Sequence, residues 1–186
     1  MKERIQQKAG ELFRRYGIRS VTMDEIASQL GISKKTIYHF YSDKDALVQD
    51  IFKDITDQNK QKCTRFKDIS ENAIHEQYLS SDSAQEIFND MSSSVLFDLN
   101  RFHPNVFAEF EKFKKQFLFN IIRENIIRGI KEGLFRKDID LDIITWLKLE
   151  MISGVFHNEA VITGKTTPHQ FENEMKDFFL HRICTE

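Results

Sequence analysis

At 186 residues with 40% hydrophobic side chains the chain can bury a core of its own, and a formal net charge of −2 argues against coating nucleic acid by bulk positive charge. Only two prolines and seven glycines, and no short β-branched runs at regular spacing, exclude a β-rich architecture and predict an all-α fold of about nine helices. Isolated Cys63 and Cys184 predict no metal or cofactor site, and a start that runs straight into a helix, with no apolar run of about 18–20 residues anywhere, predicts no leader, no membrane span and a cytoplasmic location.

Ile5, Ala9, Leu12, Phe13 and Tyr16 recur at three and four residues, the stripe of a helix with one buried face over about 3–16. Gly17 is expected to close it in the left-handed conformation, with Ile18 packed back against its end. Thr22-Met23-Asp24-Glu25 reads as a capping box opening a second helix, which buries Ile26, Ala27 and Leu30 and ends at Gly31. After Gly31-Ile32-Ser33, Ser33 is the natural N-cap of a third helix, so the pair forms a helix-turn-helix.

The second helix of such a pair enters a major groove with its N-terminal residues foremost. Here that helix begins Lys34-Lys35-Thr36-Ile37-Tyr38-His39, which collects cations, hydroxyls and a ring donor, while Ile37 and Phe40 are expected to face inward. Residues 1–50 hold nine Lys/Arg against seven acids, a mild bias of the kind a DNA-facing end needs. Ser42 and Asp43 cap the fourth helix, predicted from Asp43 to about Arg65, and put Lys44 in its first turn, where the macrodipole disfavours a cation unless a phosphate lies there.

Thr22-Met23-Asp24-Glu25-Ile26-Ala27, Leu30-Gly31-Ile32-Ser33, Thr36-Ile37-Tyr38 and Lys44-Asp45-Ala46-Leu47 together resemble the tetracycline-repressor (TetR) family of bacterial transcriptional regulators, over roughly residues 3–51. The resemblance implies a three-helix DNA-binding head, drawn at 1–48, and a variable helical body, 49–186, that dimerises and takes a small-molecule effector. It further implies that Thr22, Ser33, Lys34, Lys35, Thr36, Tyr38, His39 and Lys44 lie at the DNA. One departure is that Phe40 is followed by Tyr41 where the family has a tyrosine or histidine followed by phenylalanine, so Tyr41 stands as the substitute hydroxyl.

Of seventeen phenylalanines only Phe13 and Phe40 fall in the first fifty residues, so the body has an aromatic core. A helix is predicted over about 72–79, a break at Ser80-Ser81-Asp82-Ser83, and another helix through Ile87, Met91, Val95 and Leu99. His103-Pro104 ends that segment and starts a long helix to about Gly133, along which Phe107, Phe110, Phe113, Phe117, Ile121 and Ile130 recur at helical spacing. Two final helices, about 140–162 and 168–183, form a hairpin.

Such stripes are more often core than pocket lining, yet Phe97, Phe110, Phe113, Phe117 and Trp146 are the candidates for effector contact, with Trp146 and His157 on one predicted helix. By resemblance the hairpin meets its two-fold mate, so Ile144, Leu147, Met151, Val155, Phe171, Met175 and Phe178 are the candidates for a dimer interface. A homodimer carries two heads and predicts double-stranded DNA with inverted half-sites as partner. No Gly-rich phosphate loop, nucleophile elbow or paired carboxylates stand at recognisable spacing, so no enzyme is expected. The sequence thus reads as a homodimeric repressor released by a small molecule, against two alternatives: a helical DNA-binding protein without an effector, and a helical enzyme.

Overall fold

A computed structural model describes residues 1–90, 93–155 and 158–185, with side chains for all of these except 84–90 and 93. Its helices are α1 (Lys2–Tyr16), α2 (Met23–Leu30), α3 (Lys34–Phe40), α4 (Lys44–Ile69), α5 (Ala73–Asp90), α6 (Ser93–Phe102), α7 (Pro104–Lys112), α8 (Phe119–Lys131), α9 (Leu141–Gly154), α10 (Glu159–Ile162) and α11 (Pro168–Ile183). A π-helical stretch, Phe113–Leu118, joins α7 to α8, so helical backbone is unbroken from Pro104 to Lys131. Counting that run once and the single turn of α10 as part of a loop leaves nine helices among the described residues, an all-α fold as predicted. The only β feature among them is an isolated bridge between Phe135 and Cys184.

The chain forms two compact units, one of Met1–Asp57 with Asp90–Glu111, the other of Gln58–Asn89 with Lys112–Glu186. The first therefore gathers α6 and most of α7 around the three N-terminal helices, whereas a boundary at 48/49 was expected from sequence. Ile5, Ala9, Phe13, Ile18, Val21, Ile26, Ile37 and Leu47 are buried in it, the apolar stripes of α1 to α4. Val95, Leu96 and Leu99 of α6 are buried as well, while Met91 lies outside the described residues.

In the second unit α8 packs on α9, and α9 on α11, around Ile122, Ile126, Phe135, Ile144, Leu149, Phe179, Leu180 and Ile183. Phe135 is fully buried because α8 offers it a glycine: a Cβ on Gly129 would stand 2.0 Å from a Phe135 ring carbon. The Gly129 carbonyl also accepts from the backbone amides of Leu134 and Phe135, which folds the chain sharply back onto the helix. Polar contacts then tie α5 to α8. Gln77 Nε2 donates to Asn125 Oδ1 at 2.6 Å, Asn125 Nδ2 to the Ala73 carbonyl at 3.0 Å, and Arg128 Nη1 reaches Glu76 at 2.9 Å and Ser70 Oγ at 2.7 Å. With Glu76 buried, removing Arg128 would strand its charge, a loss of about 3–5 kcal/mol.

Three expectations need correction. No break occurs at Ser80–Ser83: α5 runs through it, because Ser81 is buried and donates to Glu172 on α11, a tertiary bond that outweighs the weak helix preference of serine. Gly17 has positive φ but ψ 156°, an extended mirror conformation rather than the left-handed helical one. The helix predicted to 162 stops at Gly154, followed by the separate turn α10, and His157 lies outside the described residues.

Gly129→Ala is expected to force Phe135 out of its seat and lower stability by about 1–3 kcal/mol, as overpacking does. A urea midpoint equal to that of the parent protein would show that the ring relaxes freely.

Candidate nucleic-acid interface

The turn into α3 is built from local bonds. Gly31 adopts the left-handed conformation (φ 65°, ψ 32°) that lets the Ile32 amide reach the Ala27 carbonyl at 3.0 Å. Thr22 Oγ1 accepts from the Glu25 amide at 3.1 Å, the hydroxyl half of the expected capping box, and Ser33 Oγ accepts from the Thr36 amide at 3.1 Å. Ser33 and Thr36 hydroxyls also pair at 2.9 Å. Thr22 and Ser33 are thus helix caps whose oxygens lie at the surface.

On α3, Ile37 is buried, while Lys34, Lys35, Tyr38 and His39 are exposed and Thr36 is half-buried. Lys34 Nζ pairs with Asp24 at 2.6 Å, and that hydrogen bond raises its pKa. Lys35 has no ion pair or hydrogen bond from its ammonium among the described residues, so it is the cation of this helix left for an outside anion. Arg4, Lys8, Glu11 and Arg14 of α1 border a separate polar cleft of about 480 Å³ with Gln29, where Lys8 pairs with Glu11 at 2.5 Å, a feature that helix periodicity did not single out.

Phe40 and Tyr41 exchange their expected places. Phe40 is 37% exposed with its ring edge-on to His39, whereas Tyr41 is buried and its hydroxyl donates to Asp50 Oδ2 at 2.9 Å. Burial, then the neighbouring carboxylate, pushes the Tyr41 pKa upward. Asp50 is held in turn by Lys2 at 2.7 Å and by Gln6 at 3.0 Å, which joins α1 to α4. Tyr41 is therefore a strut inside the head, and the hydroxyl expected at the surface faces inward.

Lys44 is likewise partnered from within: its ammonium donates to the carbonyls of Ile18 and Val21 in the turn between α1 and α2. Desolvation lowers its pKa, opposed by the charges of Asp98 and Asp45. The first-turn cation that sequence reasoning could place only against a phosphate has two intramolecular acceptors. Asp43 caps α4 by accepting from the Ala46 amide at 2.8 Å.

Sequence reasoning missed the role of α6 in holding this head. Buried Asp98 accepts from the Arg19 amide at 2.8 Å, His103 Nδ1 stands 2.7 Å from Asp45, and the Arg19 guanidinium lies 5.2 Å above the Phe102 ring. No local pattern signals these contacts, which span about eighty positions between Arg19 and Asp98. Only the odd placement of an acid within the apolar stretch Val95–Leu99 hinted at a buried partner.

The aromatic candidates divide between the units. Phe97, 65% exposed on α6, and half-buried Phe110 on α7 belong to the first. In the second, Phe113 and Phe117 stack at 5.5 Å, and half-exposed Trp146 lies 4.7 Å from Phe119. Of the residues expected at a dimer interface, Ile144 and Val155 are buried within the subunit, which corrects their assignment; Met151, Phe171 and Met175 are half-buried, and Leu147 and Phe178 are exposed. Among the described residues no His, Cys, Asp or Glu cluster could hold a metal ion, and no helix is long and apolar enough to cross a membrane.

Replacing Tyr41 with Phe should destabilise the protein by about 1 kcal/mol, since one buried hydrogen bond is lost while Asp50 keeps Lys2 and Gln6. Unchanged denaturant unfolding would place the Tyr41 hydroxyl in solvent.

Residues 5–51 match a family model described as bacterial regulatory proteins, tetR family. Over its full length the chain is 23% identical to YvaF, an uncharacterized HTH-type transcriptional regulator of Bacillus subtilis strain 168, and covers 97% of it. The HTH-type transcriptional repressor KstR2 of Mycolicibacterium smegmatis is 22% identical over 77% of this chain and 71% of its own. Among solved structures, a transcriptional regulator from Saccharomonospora viridis in complex with choline has the same fold, with a TM-score of 0.84 and 20% identity over 100% of this chain and 98% of that one. The ketosteroid transcriptional regulator KstR2 of Mycobacterium tuberculosis gives a TM-score of 0.71 and 19% identity over 100% and 95%. A capped helix-turn-helix that fits this family model over residues 5–51, on a chain similar along its whole length to an HTH-type transcriptional regulator, makes this protein a DNA-binding transcriptional regulator whose head is similar to the tetR family.

Proposed function

We propose that the regulator is a homodimeric repressor that binds an operator of inverted half-sites in the cytoplasm and releases it when a small molecule enters the body, with no catalytic step of its own. The observation that carries the DNA-binding part is the outer face of α3, where unpaired Lys35 stands with Tyr38, His39 and the Thr36 hydroxyl on a helix whose opposite side is fixed by buried Ile37. Lys35, Lys34 and the capping hydroxyls of Thr22 and Ser33 hold phosphates, and Thr36, Tyr38 and His39 are placed to meet base edges. Lys44 and Tyr41 act behind this face, setting the attitude of α2 and α3.

Dimerisation is supported by apolar side chains that the subunit leaves uncovered. Ile143, Trp146 and Leu147 on α9, at spacings of three and four, are 64%, 45% and 41% exposed, and Phe178 on α11 is 60% exposed. Because α9 and α11 pack together, a two-fold mate would complete a four-helix interface. Effector binding is supported by the choline held by the Saccharomonospora viridis regulator and by the aromatic body with its Phe113–Phe117 stack. A ligand acts only by favouring one arrangement of the heads over another, and α4 and α6, which both touch the head, are the elements it would shift.

Anisotropy titrations with the promoter fragment upstream of the protein's own gene test the DNA surface. Lys35→Ala should weaken binding across all sequences and reduce the salt slope by about 0.9, whereas Lys44→Met should leave the slope unchanged and lower the stability of the head. A full unit of slope lost with Lys44→Met would mean that its ammonium leaves Ile18 and Val21 for a phosphate. In sedimentation, Leu147→Glu combined with Phe178→Glu should give a folded monomer with weakened operator binding; a persistent dimer would place the interface elsewhere.

A further inference from the structure

One buried cluster in the second unit, between α9 and α11, holds more positive than negative charge among the described side chains. Lys148 on α9 and Lys176 on α11 are each 6% exposed, and Glu172, one turn before Lys176 on α11, is 4% exposed. Glu172 is already engaged, since Oε2 accepts from Ser81 Oγ of α5. Lys176 Nζ donates to Asn173 Oδ1 at 2.9 Å and lies 4.6 Å from the Tyr78 ring centre. The Lys148 ammonium has only an aromatic face, 4.8 Å above the Phe179 ring, and no hydrogen-bond acceptor among the described residues. Among the described side chains, two ammonium groups against one carboxylate leave a single charge uncompensated, in a place where an unpaired ion is costly.

We propose that this cluster is the anion-recognising end of the effector site: Lys148, backed by Lys176, receives the headgroup of a singly charged organic acid whose apolar part lies against the aromatic body. The inference rests on the effector reading above and adds the chemical class of the ligand. One negative charge balances the cluster, which selects a carboxylate over a dianionic phosphate. A cation is excluded by Lys148 and Lys176 together, and a neutral ligand would leave the excess charge in place. The alternative to an anion is loss of the Lys148 proton. Desolvation, reinforced by Lys176 and opposed by Glu172, brings the Lys148 pKa down to about 8, so the amine is still largely protonated at neutral pH. Binding of the acid should accordingly weaken as pH rises above about 8, where the free protein has lost that proton.

The test uses the full-length protein with straight-chain carboxylates from butanoate to decanoate, their methyl esters as neutral controls, and choline as the cationic control. Thermal unfolding and titration calorimetry read binding, and promoter-fragment anisotropy reads release. At roughly ten times its Kd, a fitting carboxylate should raise the Tm by about 3–6 °C at pH 7 and less at pH 9, with no shift from its ester or from choline. Lys148→Met, similar in length without the charge, should fold with a Tm at least equal to that of the parent and lose the carboxylate response. The proposal is overturned if no carboxylate binds, if ester and acid bind alike, or if Lys148→Met keeps the response. A markedly lowered Tm for Lys148→Met without any carboxylate effect would make Lys148 a structural partner of Glu172 and also overturn it. Lys148-dependent binding that leaves the promoter complex intact would support the anion site and remove the effector reading. Release by choline or an ester alone would keep the effector reading and remove the anion site.

Discussion

The turn from residue 17 to residue 21 exposes backbone groups that no helix satisfies, and the head is organised by how they are met. The carbonyls of Ile18 and Val21 take the Lys44 ammonium, and the Arg19 amide gives its proton to Asp98. A buried peptide group without a partner costs about 1–3 kcal/mol, so this corner is stable only with α4 on one side and α6 on the other. Gly17 belongs to the same constraint: its backbone has positive φ, and a Cβ there would stand 3.0 Å from Asp98 Oδ2. The attitude of the recognition helix follows from this corner, because α2 starts at its far end and α3 is fixed to α2 by a three-residue turn.

What was legible in the sequence was whatever is decided within a few residues. Thr22, Ser33 and Asp43 cap the helices they were expected to cap, Gly31 is left-handed, and Ile5, Ala9, Leu12, Phe13, Ile26, Ala27 and Ile37 are buried as their spacing predicts, while Tyr16 at the end of the α1 stripe is exposed and Leu30 half-buried. The head's contacts at longer range were not legible. Tyr41 faces Asp50 nine residues on, and Lys44 reaches back to a turn more than twenty residues away, so both look like free polar groups in a linear reading. Phe40 shows the converse, an aromatic ring assigned to the interior that is half outside.

In the body the obstacle was polarity buried by tertiary pairing. Ser80–Ser83 reads as a break only if its hydroxyls face water, and Ser81 instead meets Glu172 ninety-one positions later. Asn125, Arg128 and Glu76 sit on stripes that look solvated, yet they form the polar seam between α5 and α8. Such seams fix one alignment of two helices, since sliding either by a turn leaves several buried groups without partners. Apolar contacts between Ile122, Ile126 and the helices around them are more forgiving of small shifts.

The π-helical stretch Phe113–Leu118 leads into α8 with a turn wider than the α-helical one. A wider turn accommodates one residue more than an α-helix does, which rotates the following faces by roughly 100° about the axis. Phe113 and Phe117 stack in that stretch, while Asn125, Arg128 and Gly129 come round to meet α5 and Phe135. A chain one amino acid shorter between 114 and 116 would read as a better α-helix and keep both phenylalanines, but their spacing would fall from four residues to three and the stacked pair would be lost as it stands. In this segment, length is a determinant of structure in its own right, separate from composition.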